Sequence, residues 1–242
     1  TRLAVLIGLI ALSNSFLKDL FQDPRPAAAL ALDGRVGESF GLPSGHAQVA
    51  TAMWLWLAYE IKRPWAWIAA IVIALGVSFS RIYLGVHDVE DVLAGTALGL
   101  AAIVIYRGLL SADFKAWHDL GLAYQLAAIA ALAPLLWLAW PRAPLPATTF
   151  ALVAFLFFWW LGRAIELRWV DYERHKNWLF AGPAAVAGVA ILFVVMQATG
   201  AALAATGIEE SAALSIQFGF ISLYVTALAP AAFRLSRLAA VA

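Results

Sequence analysis

Between two long apolar runs the chain places Ser80-Arg81-Ile82-Tyr83-Leu84-Gly85-Val86-His87-Asp88-Val89-Glu90-Asp91. In a membrane segment Arg, His and Asp are costly, and their default reading is functional. His87 and Asp91 are four apart. If Asp91 lies on the first turn of the following helix, the two share a face. A carboxylate there accepts the imidazole's distal N–H, fixes the tautomer and stabilises an imidazolium. The other ring nitrogen is then free to attack or to take a proton. Arg81 adds a planar, permanently charged fork suited to phosphate or carboxylate.

Two more clusters carry the same chemistry. Lys18-Asp19-Leu20-Phe21-Gln22-Asp23-Pro24-Arg25-Pro26 fits K-x6-R-P, and Pro43-Ser44-Gly45-His46 opens a later helix. Each alone has a plain reading: a snorkelling Lys18, a loop charge at Arg25, a helix start capped by Ser44. Together they describe an anion site. Lys18, Arg25 and Arg81 supply cations and Ser44 a hydroxyl. Gly45 lets backbone come close, and the following helix N-terminus points free N–H groups at a ligand. Phosphoryl transfer needs charge stabilisation on the equatorial oxygens and an in-line nucleophile and leaving group. His46 and His87 can fill those last roles, one attacking and one protonating the departing oxygen.

The elements that must position these residues are membrane helices. Of 242 residues 64% are hydrophobic and 13% charged, with mean hydropathy +0.84. A soluble domain carries about 25% charge. Eleven Trp suit interfacial belts, and zero Cys excludes disulfides and thiolate chemistry. The net charge of +1 says little. The expected fold is an all-α polytopic transmembrane bundle of about eight helices. Their spans are 2–17, 44–61, 65–82, 88–108, 120–140, 147–166, 178–200 and 211–232, with Lys18 ending the first. No signal peptide is read before the apolar run 3–17, and a chain opening inside a helix suggests a longer precursor or a trimmed N-terminus. The organisation expected is a catalytic core over 1–110 and additional helices of unknown role over 111–242.

Alternation puts Lys18, the 19–43 connection, Arg81–His87, Arg142 and 201–210 on one side. Arg2, Lys62, Arg63, Arg107, Lys115, Arg163, Arg168, Arg174, Lys176, Arg234 and Arg237 fall on the other. The positive-inside rule makes the second side cytoplasmic, so the three clusters face periplasm or lumen.

In this order the clusters resemble the type 2 phosphatidic acid phosphatase (PAP2) superfamily, whose pattern is K-x6-R-P, P-S-G-H and S-R-x5-H-x3-D; every position is matched over residues 18–91. Residues 120–242 lie outside the resemblance. It implies a metal-independent phosphatase working through a phosphohistidine. His87 would be the nucleophile, Asp91 its orienting acid and His46 the general acid. Lys18, Arg25, Ser44, Gly45 and Arg81 would bind phosphate. Members commonly have two helices before the first motif, whereas this chain has one. The helices after the core are similar in layout to sphingosine-phosphate phosphatases and glucose-6-phosphatases.

Helix ends at one membrane face suit a lipid phosphate monoester or a polyprenyl diphosphate. A bacterial inner membrane, or an endomembrane, is the expected location. The alternatives are a lipid phosphotransferase of the same fold, a vanadate-type haloperoxidase, which hydropathy disfavours, and a transporter with a silent core. The 27–41 connection, with Asp33, Arg35 and Glu38, reads either as a lid over the headgroup or as a surface loop. His118, His175 and Glu209-Glu210 read as solvated loop residues, Glu166 as an ion-pair partner of Arg163 or Arg168, and the aromatic stretch 155–160 as lipid-facing or packed. No metal set, cofactor or nucleic-acid partner is expected. The motifs do not specify the lipid tail or the oligomeric state.

Overall fold

The computed structural model describes residues 2–32, 39–111, 117, 119–173 and 177–235. The expected lid residues Asp33, Arg35 and Glu38 lie outside them, as do His118, His175, Lys115, Arg174, Lys176 and Arg237. The chain divides into two compact units, Thr1–Asp119 with Ala139–Pro144, and Leu120–Leu138 with Leu145–Ala242.

Among the described residues, four helices form the first unit: α1 (Arg2–Phe21), α2 (Gly45–Ile61), α3 (Pro64–Tyr83) and α4 (Val89–Ser111). The expected end of α1 at Lys18 is corrected. The helix runs one turn further, to a left-handed Gln22 (φ 51°) whose N–H bonds the Lys18 carbonyl at 2.9 Å. Pro24 follows, where a helix cannot continue. That extra turn is worth forming because Lys18 and Asp19 are buried on it and find partners. At the other end Lys62 turns left-handed (φ 57°) and Pro64 opens α3 at its first position.

Helix α2 packs against α1, α3 and α4. Gly95 and Gly99, one turn apart on α4, face it. A Cβ at Gly95 would come within 2.4 Å of the Ser44 carbonyl oxygen, and one at Gly99 within 2.7 Å of that of Gln48. Small residues four apart let two helix backbones touch where no side chain fits. Further along, Leu6, Ile10, Ala52, Trp56 and Tyr106 form the apolar core, and the Tyr106 hydroxyl donates to the Arg2 carbonyl at 3.0 Å.

The second unit begins with α5 (Leu122–Ala130) and α6 (Leu132–Ala139), which together make one apolar span. Then come α7 (Ala147–Ile165, continued by a π-turn over Glu166–Val170), α8 (Trp178–Thr206), α9 (Glu210–Leu223, continued by a π-turn over Tyr224–Leu228) and α10 (Ala229–Leu235). Gly162 and Gly219 bring α7 and the α9 segment together. Their added Cβ atoms would meet Thr226 Oγ1 and the Phe158 ring at 2.0 and 2.5 Å. The aromatic stretch is packed: Trp160 Nε1–H donates to Gln125 Oε1 at 2.7 Å. Glu166 pairs with Arg163 and accepts the Tyr172 N–H at 3.1 Å. Glu209 is not a loop residue without a role. It caps α9 by accepting from Ser211 and Ala212 N–H at 3.0 and 3.2 Å.

Counting α5 with α6 and α9 with α10, the described residues form eight helical rods, and seven candidate segments are long and apolar enough to cross a membrane. Helix α2, of 17 residues, is the shortest of the four in its unit. Replacing Gly95 by Val forces the α2 start away from α4. The expected cost is about 1–3 kcal/mol of overpacking, read as a lower thermal midpoint in detergent, while Ala97→Val on the exposed face leaves the midpoint in place.

Candidate active site

All three motif clusters meet at one end of α1–α4: the α1 C-terminus, the α2 N-terminus, the α3 C-terminus and the α4 N-terminus. The α3–α4 connector turns through Gly85 (φ 65°), where any Cβ would lie 2.2 Å from the Leu30 carbonyl oxygen. The Leu32 N–H bonds the Leu84 carbonyl at 2.9 Å, so the described part of the 19–43 connection rests on this connector.

The connector delivers His87, which is buried with only 4% of its surface exposed. Its Nδ1 lies 2.8 Å from Asp91 Oδ2, which also accepts the Asp88 N–H at 3.2 Å. With the carboxylate accepting from Nδ1–H, Nε2 keeps its lone pair. Arg25 Nη1 stands 3.3 Å from that Nε2. Burial holds the His87 imidazole down to about 4, with Arg25 and Lys18 adding and the Asp91 hydrogen bond opposing. A neutral ring at neutral pH is the form a nucleophile requires.

Arg25 is fixed from several directions. Nε donates to the Ser39 carbonyl at 2.6 Å, Nη2 to Ser39 Oγ at 2.9 Å and Nη1 to the Val86 carbonyl at 2.8 Å. Lys18 is buried and donates to the carbonyls of Phe40 and of Gly41, the latter at 3.0 Å. Gly41 is required here, because a Cβ would sit 2.8 Å from Asp91 Oδ2.

Ser44 occupies the N-cap position of α2, but its side chain does not cap, contrary to expectation. Its N–H donates to the Asp91 carbonyl at 2.9 Å and its carbonyl accepts the Gln48 N–H at 3.0 Å. The residue is wholly buried and its hydroxyl has no hydrogen-bond partner among the described residues. His46 is exposed on the first turn of α2, with Arg81, Arg25 and Lys18 as its charged neighbours. Arg81, on the last turn of α3, bonds Ser80 Oγ through Nε at 3.2 Å. The geometry thus gathers Lys18, Arg25, Ser44, Gly45, His46, Arg81, His87 and Asp91 at one helix-end cluster.

Sequence reasoning missed two supports. Asn14, one turn before Lys18 on α1, is buried; its Nδ2 donates to the Pro43 carbonyl at 3.1 Å and to Gln48 Oε1 at 2.9 Å. Its Oδ1 abuts Gly45, where a Cβ would come within 2.8 Å. The signal was present: Asn14 and Gln48 each stand four residues from a motif residue, on the same helix face. The second is Asp19, inside the K-x6-R spacer, which accepts from Trp140 Nε1–H at 2.7 Å.

The family model of the PAP2 superfamily matches residues 1–114. This segment is similar to phosphatidylglycerophosphatase B of Bacillus subtilis (strain 168), 34% identical over 113 residues, which are 43% of this chain and 54% of that protein. It is similar to human (Homo sapiens) sphingosine-1-phosphate phosphatase 2, 31% identical over 112 residues, 43% of this chain and 28% of the relative. It is also similar to undecaprenyl-diphosphatase of Sulfolobus acidocaldarius, 42% identical over 60 residues, 25% of this chain and 29% of the relative. The chain therefore spans about half the length, or less, of these relatives. No solved structure matches it.

Two outcomes are expected for this segment. Asn14→Ala leaves the Pro43 carbonyl and Gln48 Oε1 buried without their donor, at a cost of about 1–3 kcal/mol, seen as a lower thermal midpoint. His87 binds a proton less readily in the folded than in the unfolded chain, so the unfolded state takes up more protons between about pH 4 and the ordinary histidine value of about 6.5. The contribution of this residue to stability therefore rises with pH across that window. Melting curves from pH 4 to 7 give a shallower slope for His87→Asn than for the parent.

Proposed function

We propose that the chain is a membrane phosphatase that hydrolyses a lipid phosphate monoester or a polyprenyl diphosphate through a phosphohistidine. The observation that carries this reading is the His87 ring, held by Asp91 at Nδ1 and presenting Nε2 beside Arg25 at 3.3 Å.

The phosphate oxygens are bound by Lys18, Arg25 and Arg81, by the Ser44 hydroxyl and by the free N–H groups that open α2. His87 Nε2 attacks phosphorus in line as the bond to the leaving oxygen breaks, and the Nδ1–H···Asp91 pair stabilises the resulting imidazolium. His46 donates the proton that lets the alcohol, or the lipid monophosphate, depart. Water then attacks phosphorus and the P–N bond breaks. His46, now neutral, takes the water proton. Phosphate leaves and His87 returns to its neutral tautomer. Fixed cations and dipoles supply the charge stabilisation.

The relatives named for phosphatidylglycerophosphate, sphingosine 1-phosphate and undecaprenyl diphosphate share a phosphate on a lipid. A site built from helix ends suits that class, because the phosphate stays at headgroup level while the tail remains in lipid. Arg2, Lys62, Arg63 and Arg107 gather at the opposite ends of the four helices, with Arg107 stacked on Tyr59 at 5.3 Å. The positive-inside rule favours a cytoplasmic position for that end and a periplasmic or lumenal site.

The deciding experiment is phosphate release in detergent from phosphatidate, phosphatidylglycerophosphate, undecaprenyl diphosphate and sphingosine 1-phosphate. Turnover of at least one lipid, abolished in a folded His87→Ala variant and blocked by vanadate, is expected. Turnover undiminished in the variant contradicts the reading. His46→Ala slows a lipid phosphate by about 10²–10⁴-fold but a nitrophenyl phosphate far less, because nitrophenolate leaves without a proton. Equal losses on both substrates remove His46 from the general-acid role. Activity persists after chelator treatment, and a requirement for added divalent metal overturns the metal-independent mechanism.

A further inference from the structure

Residues Ala139–Pro144 lie beyond the stretch matched by the family model, yet they belong to the unit that holds the site. Trp140 anchors them. It is buried, donates through Nε1–H to the buried Asp19 carboxylate at 2.7 Å, and meets the Phe16 ring edge-on with centroids 5.3 Å apart. A hydrogen bond to a buried carboxylate is strong and directional, so it fixes where this segment runs against the end of α1. Asp19 is the neighbour of Lys18 in the chain, which brings the anchor to the margin of the phosphate site.

Two residues beyond the anchor, Arg142 places its guanidinium over Phe40, 5.1 Å from the ring centroid. Phe40 belongs to the short stretch that the site's own cations hold. Its carbonyl accepts from Lys18, and Ser39 accepts twice from Arg25. Arg142 is exposed, and a guanidinium stacked by its face keeps its in-plane N–H donors turned to the surroundings. It is a cation beside the site that none of the three motif clusters contains.

We propose that Arg142 binds a second anionic group of the substrate, beyond the phosphate held at His87, and so favours lipids carrying two phosphoryl groups. Its first anion rests on the phosphatase reading above. The second anion is either the lipid-attached phosphate of a diphosphate whose terminal phosphate sits at His87, or a separate phosphate or phosphodiester a few bonds away. A substrate with a cationic amine beside its phosphate is disfavoured by the same residue.

Ligands with P–C bonds test this without turnover. Binding of methylphosphonate, methylenediphosphonate and propane-1,3-bisphosphonate to the full chain in detergent is measured by calorimetry. The parent prefers the two-phosphorus ligands over methylphosphonate, and Arg142→Gln reduces that preference about tenfold, the size of one charge-assisted contact. Arg142→Lys restores part of it, as a cation without the fork does. Trp140→Phe, which keeps the ring but removes the bond to Asp19, also erodes it. A larger effect on methylenediphosphonate identifies a diphosphate, and a larger effect on the propane compound identifies separated groups. The proposal is overturned if the parent shows no such preference, or if Arg142→Gln leaves it intact or weakens all three ligands equally. His87-dependent turnover of a simple monoester, measured beside these, separates the two claims. Turnover without an Arg142 effect refutes the second anion alone, and an Arg142 effect without turnover refutes the phosphatase reading alone.

Discussion

Asp91 is the residue on which the site depends. Its carboxylate holds His87 Nδ1 at 2.8 Å, and its backbone carbonyl accepts the Ser44 N–H at 2.9 Å. One residue on the first turn of α4 therefore sets both the ring that would attack and the turn that would cradle the phosphate. The rest of the unit keeps that residue where it is. Gly95 and Gly99 let α4 lie against the α2 backbone, Gly41 clears the space beside the carboxylate, and Asn14 grips the Pro43 carbonyl from α1. Each of these positions tolerates little change, because the contacts are made by backbone or by buried polar atoms, which are costly to leave unpaired.

The electrostatics follow the same logic. Among the described residues, the hydrogen bonds that hold Lys18 and Arg25 run to carbonyls and to the Ser39 hydroxyl, with the Asp91 carboxylate near both cations. A buried ion pair at either place would have satisfied the cation and left little field for a ligand. Burial and these two cations keep the His87 ring neutral, while Asp91 stands where it would stabilise the charge on the ring in the proposed phosphohistidine. Ser44 adds a buried hydroxyl without a partner among the described residues, the kind of group a bound phosphate oxygen would satisfy.

Much of this was legible in the sequence. The helical class followed from hydropathy, and the three clusters followed from charged residues placed at the margins of apolar runs. What escaped is informative in physical terms. Lys18 looked like the end of α1 because charge usually ends a membrane span. Here Lys18 and Asp19 find partners, Gly41 and Phe40 for one and Trp140 for the other, so the helix gains another turn. Ser44 carried the signature of a cap, yet its hydroxyl makes no capping bond. The helical spacing of Asn14 to Lys18 was visible, but its partners Pro43 and Gln48 lie far away in the chain, so only the fold joins them. Trp140 passed for a belt residue, since only the fold brings it to Asp19.

Passage of the phosphoryl group through His87 is the central step of the proposed mechanism. The stereochemical course at phosphorus tests that most directly. A lipid monoester chiral at phosphorus, hydrolysed in isotopically labelled water, gives retained configuration if two in-line displacements occur, one by His87 Nε2 and one by water. Inverted configuration means that water attacks the substrate itself, and it would contradict a phosphohistidine at this site.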